Sequence, residues 1–309
     1  MKKNKEKNFI SAIVYLHNNE SEIKDFISKL DGSLADIFDK YEIICVNDAC
    51  TDKTVNIINS YSKENSSAVV SIINMSYFQG LEKSMNAGID LAIGDFVYEF
   101  DYVCSDYDFN LISEIYYDSL KGFDIVRVVN KKQQRGISKL YYKVFNRYSE
   151  TQYNIESEQF RILSRRAINR VKSISKIVSY RKAIYANCGL KMDTIYYEGN
   201  VRKHNHNFKN NKDIAMDSLV LFTNAAYKIS MFLSVLFIIF TFIIGIYTIT
   251  IFIAGKPVAG YTSTMLLLSV AFFGLFLVLS IIIKYLQVII ELIFKKQNYL
   301  IESIDKISK

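Results

Sequence analysis

Two uncharged apolar runs near the carboxyl terminus, Ile229–Gly255 and Val258–Ile283, constrain this chain more than any other feature. Each exceeds the roughly 20 residues that a helix needs to cross a bilayer. About 225 residues of mixed polarity precede them, so the expectation is a folded domain tied to a membrane by a helical hairpin. The organisation that follows is a domain over residues 1–225, a hairpin over 226–287 with spans near 229–254 and 262–283, and a basic tail over 288–309. The single proline, Pro257, falls between the spans, where a helix has to break.

The placement of charge matters more than the net value of +7. Lys203, Lys209, Lys212 and Lys228 precede the first run; Lys284, Lys295, Lys296, Lys306 and Lys309 follow the second; only Lys256 lies in the connection. The positive-inside bias then puts both flanks, both termini and the large domain in the cytoplasm, beside anionic headgroups that basic flanks favour. Nucleic acid is excluded as a partner, since no basic helix or aromatic RNA-binding motif accompanies the charge. Met1–Asn8 is lysine-rich, but only a strand-length apolar stretch, Ile10–Leu16, follows it, so a signal peptide is not expected. Cys45, Cys50, Cys104 and Cys188 show no metal spacing and read as reduced thiols. His204 and His206 stand two apart in a polar stretch without a cysteine or acid cluster, which favours a headgroup-facing loop over a metal site.

Within the domain, short apolar runs alternate with helical periodicity. Strands are expected over Phe9–Leu16, Tyr41–Val46, Ala68–Ile73, Phe96–Phe100 and Asp124–Val129, and helices over Glu20–Leu30, Thr54–Tyr61, Gly80–Ala92 and Tyr107–Leu120. This order means βαβ units, an α/β fold and a mostly parallel sheet flanked by helices. Ligands of such sheets bind beyond the carboxyl ends of the strands. The polar residues expected there are His17-Asn18-Asn19-Glu20, Asn47-Asp48 and Asp101. Ordinary helix capping is the competing reading of each Asn or Asp taken alone.

These residues carry a resemblance. From Phe9 to about Leu163 the chain resembles a family 2 glycosyltransferase of the GT-A fold. Ser11–Glu20 is similar to that family's first strand and acidic turn, and Glu42–Thr54 to its strand ending in an Asn/Asp-Asp turn. Gly80, Asn86, Ala87, Gly88, Ala92, Gly94 and Asp95 match its glycine-containing helix and Gly-Asp exit. Gln159–Arg165 resembles the Asp-Phe-Arg-Leu-x-Ser-Arg element of the membrane-anchored polyprenyl-phosphate sugar transferases, of the dolichol-phosphate mannose synthase and bactoprenol glucosyltransferase type. That group also ends in two membrane helices.

The resemblance implies a nucleotide-sugar donor held by Asn18, Asp48, Gly80, Asp101 and Arg165, with Mg or Mn on Asp101 bridging the diphosphate. It implies catalysis by Glu158, as candidate base, and Arg161; Arg161 or Arg165 would steady phosphate oxygens. A surface charge is the competing reading for Arg165, and a solvated acid for Glu158. Several positions depart from the family pattern. The second acid of the Asp-x-Asp element is Val103, with Asp106 and Asp108 close behind; the acid before Phe-Arg is Gln159, with Glu158 one place early. A one-residue offset would turn a side chain elsewhere on a strand or a helix.

Two functions compete on these grounds. One is an inverting transferase that moves a sugar onto a polyprenyl phosphate, or onto a lipid-linked glycan, at the cytoplasmic membrane face in surface polysaccharide or glycolipid synthesis. The other is a non-catalytic, membrane-bound scaffold with a degenerate metal site. A channel is excluded because the spans contain no charge. Gly245, Gly255, Gly260 and Gly274 would permit close helix approach, which leaves homo-oligomerisation open.

Overall fold

The computed structural model describes residues 4–64, 68–104, 107–132, 137–149, 151–174, 180–199 and 301–307, with scattered positions between 218 and 289. Two units emerge. The first comprises Met1–Asn146, Glu150–Ile214 and Gln297–Lys309; the second comprises Arg147–Ser149 and Ala215–Lys296.

Apolar runs buried on both faces build the centre of the first unit, as parallel sheets require. Strands β1 (Ile10–Leu16), β2 (Tyr41–Asn47), β3 (Val69–Met75) and β4 (Phe96–Phe100) are joined by helices α1 (Ile23–Ile37), α2 (Thr54–Glu64) and α3 (Leu81–Leu91). Helix α4 (Asn110–Ser119) leads to β5 (Ile125–Asn130), and α5 (Ile137–Tyr148) to β6 (Glu158–Ser164). Then come α6 (Arg165–Ile174), α7 (Arg181–Ala186), β7 (Met192–Tyr197) and β8 (Ile301–Ile307). The eight strands form one sheet in the order β7-β5-β6-β4-β1-β2-β3-β8.

Pairing is parallel between β1 and β2, β1 and β4, β2 and β3, and β5 and β7. It is antiparallel for β6 against both β4 and β5, and for β8 against β3. The sheet is therefore mixed and mostly parallel, and the five expected strands and four expected helices all form, β4 with the expected bounds and the others with at least one end shifted. One face packs Phe26, Ile27, Leu30 and Leu34 of α1 and Ile112, Ile115 and Tyr116 of α4 over Phe100 and Phe160. On the other face α3 lies close enough that a methyl at Gly88 would overlap Ile13 Cγ2.

Residues 301–307, expected in a basic tail, instead form the edge strand β8. Among the described residues no helix is long and apolar enough to cross a membrane. Most of the two apolar runs, and His204, His206 and Asp106, lie outside the described residues. Within the second unit the described positions from 232 to 243 and from 264 to 289 are helical. Phe237 packs so closely on Gly274 that a methyl there would overlap its ring.

Candidate functional site

The carboxyl ends of β1 and β2 lie side by side, because Leu16 is in register with Asn47. The two turns that follow are tied to each other. Asn18 and Ala49 both adopt positive φ, at 57° and 54°, a conformation that L residues other than Asn and Asp rarely take. Thr51 N–H donates to Asn18 Oδ1 at 2.8 Å, Asn19 N–H to Thr54 Oγ1 at 2.8 Å, and Glu20 N–H to Asp52 Oδ2 at 3.0 Å. His17 Nδ1 lies 2.7 Å from the Asp48 carbonyl oxygen, and its ring sits 4.6 Å from that of Phe78.

Asp48 is fully buried. Its Oδ1 accepts from Gln79 N–H at 2.7 Å, and its Oδ2 accepts from Gly80 N–H at 2.8 Å and from the Tyr15 hydroxyl at 2.9 Å. Burial, then the Asp48 charge, pushes the Tyr15 hydroxyl far above its usual range, so it stays a donor. Asp48 thus holds the entrance to α3, where Gly80 has φ 86°. In this conformation the carboxylate and the Gly80 amide bind each other.

Asp101 follows β4 directly, beside β1, and is likewise fully buried. It stands at one corner of a charged row that crosses the sheet. Glu99 on β4 is in register with Arg161 on β6, and Arg161 with Arg127 on β5, so all three project from one face. Arg161 Nη2 donates to Asp101 Oδ2, and Arg181 Nη2 to Asp101 Oδ1 at 2.7 Å. Arg181 Nε also donates to Glu82 Oε2 at 2.9 Å, and the Tyr185 hydroxyl to Glu99 Oε1 at 2.8 Å. Arg161 Nη1 and Arg181 Nη1 come within 3.2 and 2.9 Å of Glu99 Oε2. That is ion-pairing distance, but neither contact has hydrogen-bond alignment.

The offset of Glu158 is resolved by a bulge. Phe160 pairs with Val128 but Glu158 pairs with Val129, so Gln159 is the extra residue on β6. A bulge re-aims the side chain before it. Glu158 therefore reaches the arginine face, with Oε2 3.0 Å from Arg161 Nε and Oε1 3.3 Å from Arg127 Nη1. It is 3% exposed, which corrects the reading of a solvated acid.

Burial alone would raise both carboxyls. For Asp101 the charges of Arg161, Arg181 and Lys182 outweigh it and hold the group well below the ordinary carboxylate range. For Glu158 those of Arg161, Lys182 and Arg127 do the same.

Arg165 does not join them. Because β6 runs antiparallel to β4, its carboxyl end lies at the amino end of β4, where Ser164 pairs with Phe96. There Arg165 donates to the carbonyls of Ala92, at 3.0 Å, and of Gly94, at 2.9 Å from Nε. In this structure Arg165 is thus engaged with backbone carbonyls at the amino end of β4, away from Asp101.

Reasoning from the residues alone also passed over Glu82, Glu99, Arg127, Arg181, Lys182 and Tyr185. The available signal was a charge inside an apolar strand, Glu99 in Phe96–Phe100 and Arg127 in Ile125–Asn130, since such residues are seldom buried without partners.

Residues 11–107 match the glycosyl transferase family 2 model. A Synechocystis protein described as an uncharacterized glycosyltransferase is 26% identical over 96% of this chain and 95% of its own length. A bactoprenol glucosyl transferase of Shigella phage SfV is 25% identical over 86% of this chain and 88% of its own. Among solved structures, a Pyrobaculum calidifontis mannosyltransferase in complex with GDP-Man and Mn2+ superposes with a TM-score of 0.51 at 15% identity. That match covers 70% of this chain and 63% of the other, less than two thirds of its length, and it bears on the fold alone.

Proposed function

We propose, from the match of residues 11–107 to the glycosyl transferase family 2 model, that the chain moves a sugar from a nucleotide-sugar donor onto a polyprenyl phosphate at the cytoplasmic membrane face. The observation that carries the choice of acceptor is the state of Glu158. A sugar hydroxyl must lose its proton during transfer and needs a general base whose pKa lies near the working pH. Glu158 is the carboxylate that the bulge brings to the row, and its pKa is depressed by the arginines, which makes it a weak base. A lipid phosphate is already ionised. Its oxygen forms the new bond to the anomeric carbon as the bond to the nucleotide diphosphate breaks, and no proton has to move. The similarity to a bactoprenol glucosyl transferase supports the same acceptor class.

Among the described residues, the donor set at Asp101 does not fit the Mg or Mn implied by the resemblance. Both Asp101 oxygens receive guanidinium N–H groups, the second acid is replaced by Val103, and the described residues contain no group of three or more His, Cys, Asp or Glu able to hold a metal ion. What the chain itself supplies is a rigid, charged corner at the ends of β1, β2 and β4. Arg161 and Arg181 fix Asp101, and Asp48 fixes the α3 entrance.

The membrane hairpin belongs to the same proposal. The chain leaves the first unit after Ile214 and rejoins it at Gln297, so a segment that crosses a bilayer between them crosses an even number of times. Exposed apolar residues recur at helical spacing, at Phe232, Leu236, Ile239 and Ile243, and at Leu268, Phe272, Leu275, Leu279, Ile282, Leu286 and Ile289, as a lipid-facing stripe would.

The test is a transfer assay with purified full-length protein in detergent. Radiolabelled UDP-, GDP-, CDP- and dTDP-sugars are offered with a polyprenyl phosphate, with and without Mn. Label moving to the lipid phosphate supports the proposal. Transfer only to a lipid-linked glycan would replace the acceptor. No transfer from any donor, by folded protein, would return the non-catalytic scaffold.

A further inference from the structure

Lys182 is buried at 7% exposure beside the charged row, yet among the described residues it makes no hydrogen bond and no ion pair. It follows Arg181 at the start of α7, next to the residue that reaches Asp101, Glu99 and Glu82. Its charge is felt by Asp101 and Glu158 and by the ring hydroxyl of Tyr102. Burial alone would lower its pKa, but the carboxylates of Glu158 and Asp101 act against that and the ammonium stays protonated.

Its neighbours differ in this respect. Arg127 is bonded to Glu158 and Thr194. Arg161 is engaged with Asp101, Glu99 and Glu158, and Arg181 with Asp101, Glu99 and Glu82. The three guanidinium groups are ion-paired with four carboxylates, whereas among the described residues the ammonium has neither an ion pair nor a hydrogen-bond acceptor. The ammonium is not among the side-chain atoms that are closed off from solvent without a partner, so an incoming anion can reach it. An anion that supplies oxygen acceptors would receive charge-assisted hydrogen bonds from it.

We propose that Lys182 is a phosphate-binding residue of this site, its ammonium donating directly to a phosphate oxygen of a substrate. The proposal rests on the sugar-transfer reading above. That reading provides two sources of such an oxygen, the diphosphate of the nucleotide donor and the phosphate of the polyprenyl acceptor.

The experiment compares wild type, Lys182→Met and Lys182→Arg as full-length protein in detergent. Melting temperature without ligand is the folding control. The donor arm titrates UDP, GDP, CDP and dTDP by calorimetry, with Mn and separately with EDTA. The acceptor arm titrates a short-chain polyprenyl phosphate and, as its control, the matching polyprenol. Loss of a charge-assisted hydrogen bond should weaken binding about 10- to 100-fold.

Weakening confined to the nucleotide in Lys182→Met, rescued in Lys182→Arg, assigns the residue to the donor. Weakening confined to the lipid phosphate, with polyprenol unaffected, assigns it to the acceptor. Wild-type affinities for both ligands in folded Lys182→Met overturn the proposal and leave Lys182 as a counter-charge of the row. Wild-type protein that binds no nucleotide and no lipid phosphate sinks the sugar-transfer reading itself, and this inference with it.

Discussion

At the scale of single residues, the row through Glu99, Arg161 and Arg127 is a place where charge is buried because it is shared. Arg161 is 1% exposed and touches three carboxylates. Arg161→Met leaves Asp101 and Glu158 with fewer cations in a dry environment, and removing one partner of a buried pair costs about 3–5 kcal/mol. Urea unfolding should report a loss of that order, and a variant as stable as wild type would contradict the pairing. The same pairs set a pH dependence. Asp101 and Glu158 have folded-state pKa values below their unfolded ones, near 3.9 and about 4.3 in model peptides. The stability they contribute is complete above the unfolded values and drains away as pH falls through the folded ones. The urea midpoint should therefore be insensitive to these groups between about pH 7 and 5, and should fall below about pH 4. A midpoint that rises on acidification below pH 4 argues that the carboxyls are not ion-paired.

At the scale of elements, two positions expose how the sheet is closed. Gly88 lets α3 lie on β1 and β2, with Ile13 Cγ2 and Val46 Cγ2 where a methyl would go. Gly88→Ala should cost about 1–3 kcal/mol through overpacking, read by chemical denaturation; no loss would mean that the helix moves aside freely. At the far edge, β8 covers β3, and a chain of hydrogen bonds runs inward from it. Asn74 Nδ2 donates to Ser303 Oγ at 2.8 Å, Asn47 Nδ2 to Asn74 Oδ1 at 2.9 Å, and Cys50 N–H to Asn47 Oδ1 at 2.9 Å. Ending the chain after Asn298 uncovers the backbone groups of β3, an exposed edge of the kind that promotes association. The truncated protein should melt lower, by about 2–4 °C for each kcal/mol lost, and aggregate more. Unchanged melting and solution behaviour would show β8 to be dispensable.

At the scale of the whole molecule, a strand from the last ten residues joins the sheet that the first strands build. Both ends of the chain then belong on one side of any membrane that the intervening segment crosses. Lys5→Cys and Lys309→Cys, each in a background with Cys45, Cys50, Cys104 and Cys188 replaced by Ser, should react with a membrane-impermeant maleimide only after the cells are opened. Labelling of one site in intact cells and not the other would rule out the hairpin.

The order of the first nine elements was legible because each carries its own period: apolar runs for strands buried on both faces, and i, i+3, i+4 spacing for α1. The places of Asp48 and Asp101 at strand ends were legible because parallel topology sends the residues after each strand to one end of the sheet. The partners of those residues were not. Arg161 and Arg165 are four apart in sequence, yet they serve opposite ends of β4, and the antiparallel direction of β6 decides which end each one meets. Glu158 and Gln159 exchange their expected places because of one bulge, whose pairing depends on β5. Arg181 and Lys182 enter from a short helix 80 residues after Asp101, with no periodicity to announce it. Local pattern determines which segments are strands and helices. Strand direction, register and the approach of distant helices determine which charges meet, because an ion pair is a relation between positions that no single stretch of sequence contains.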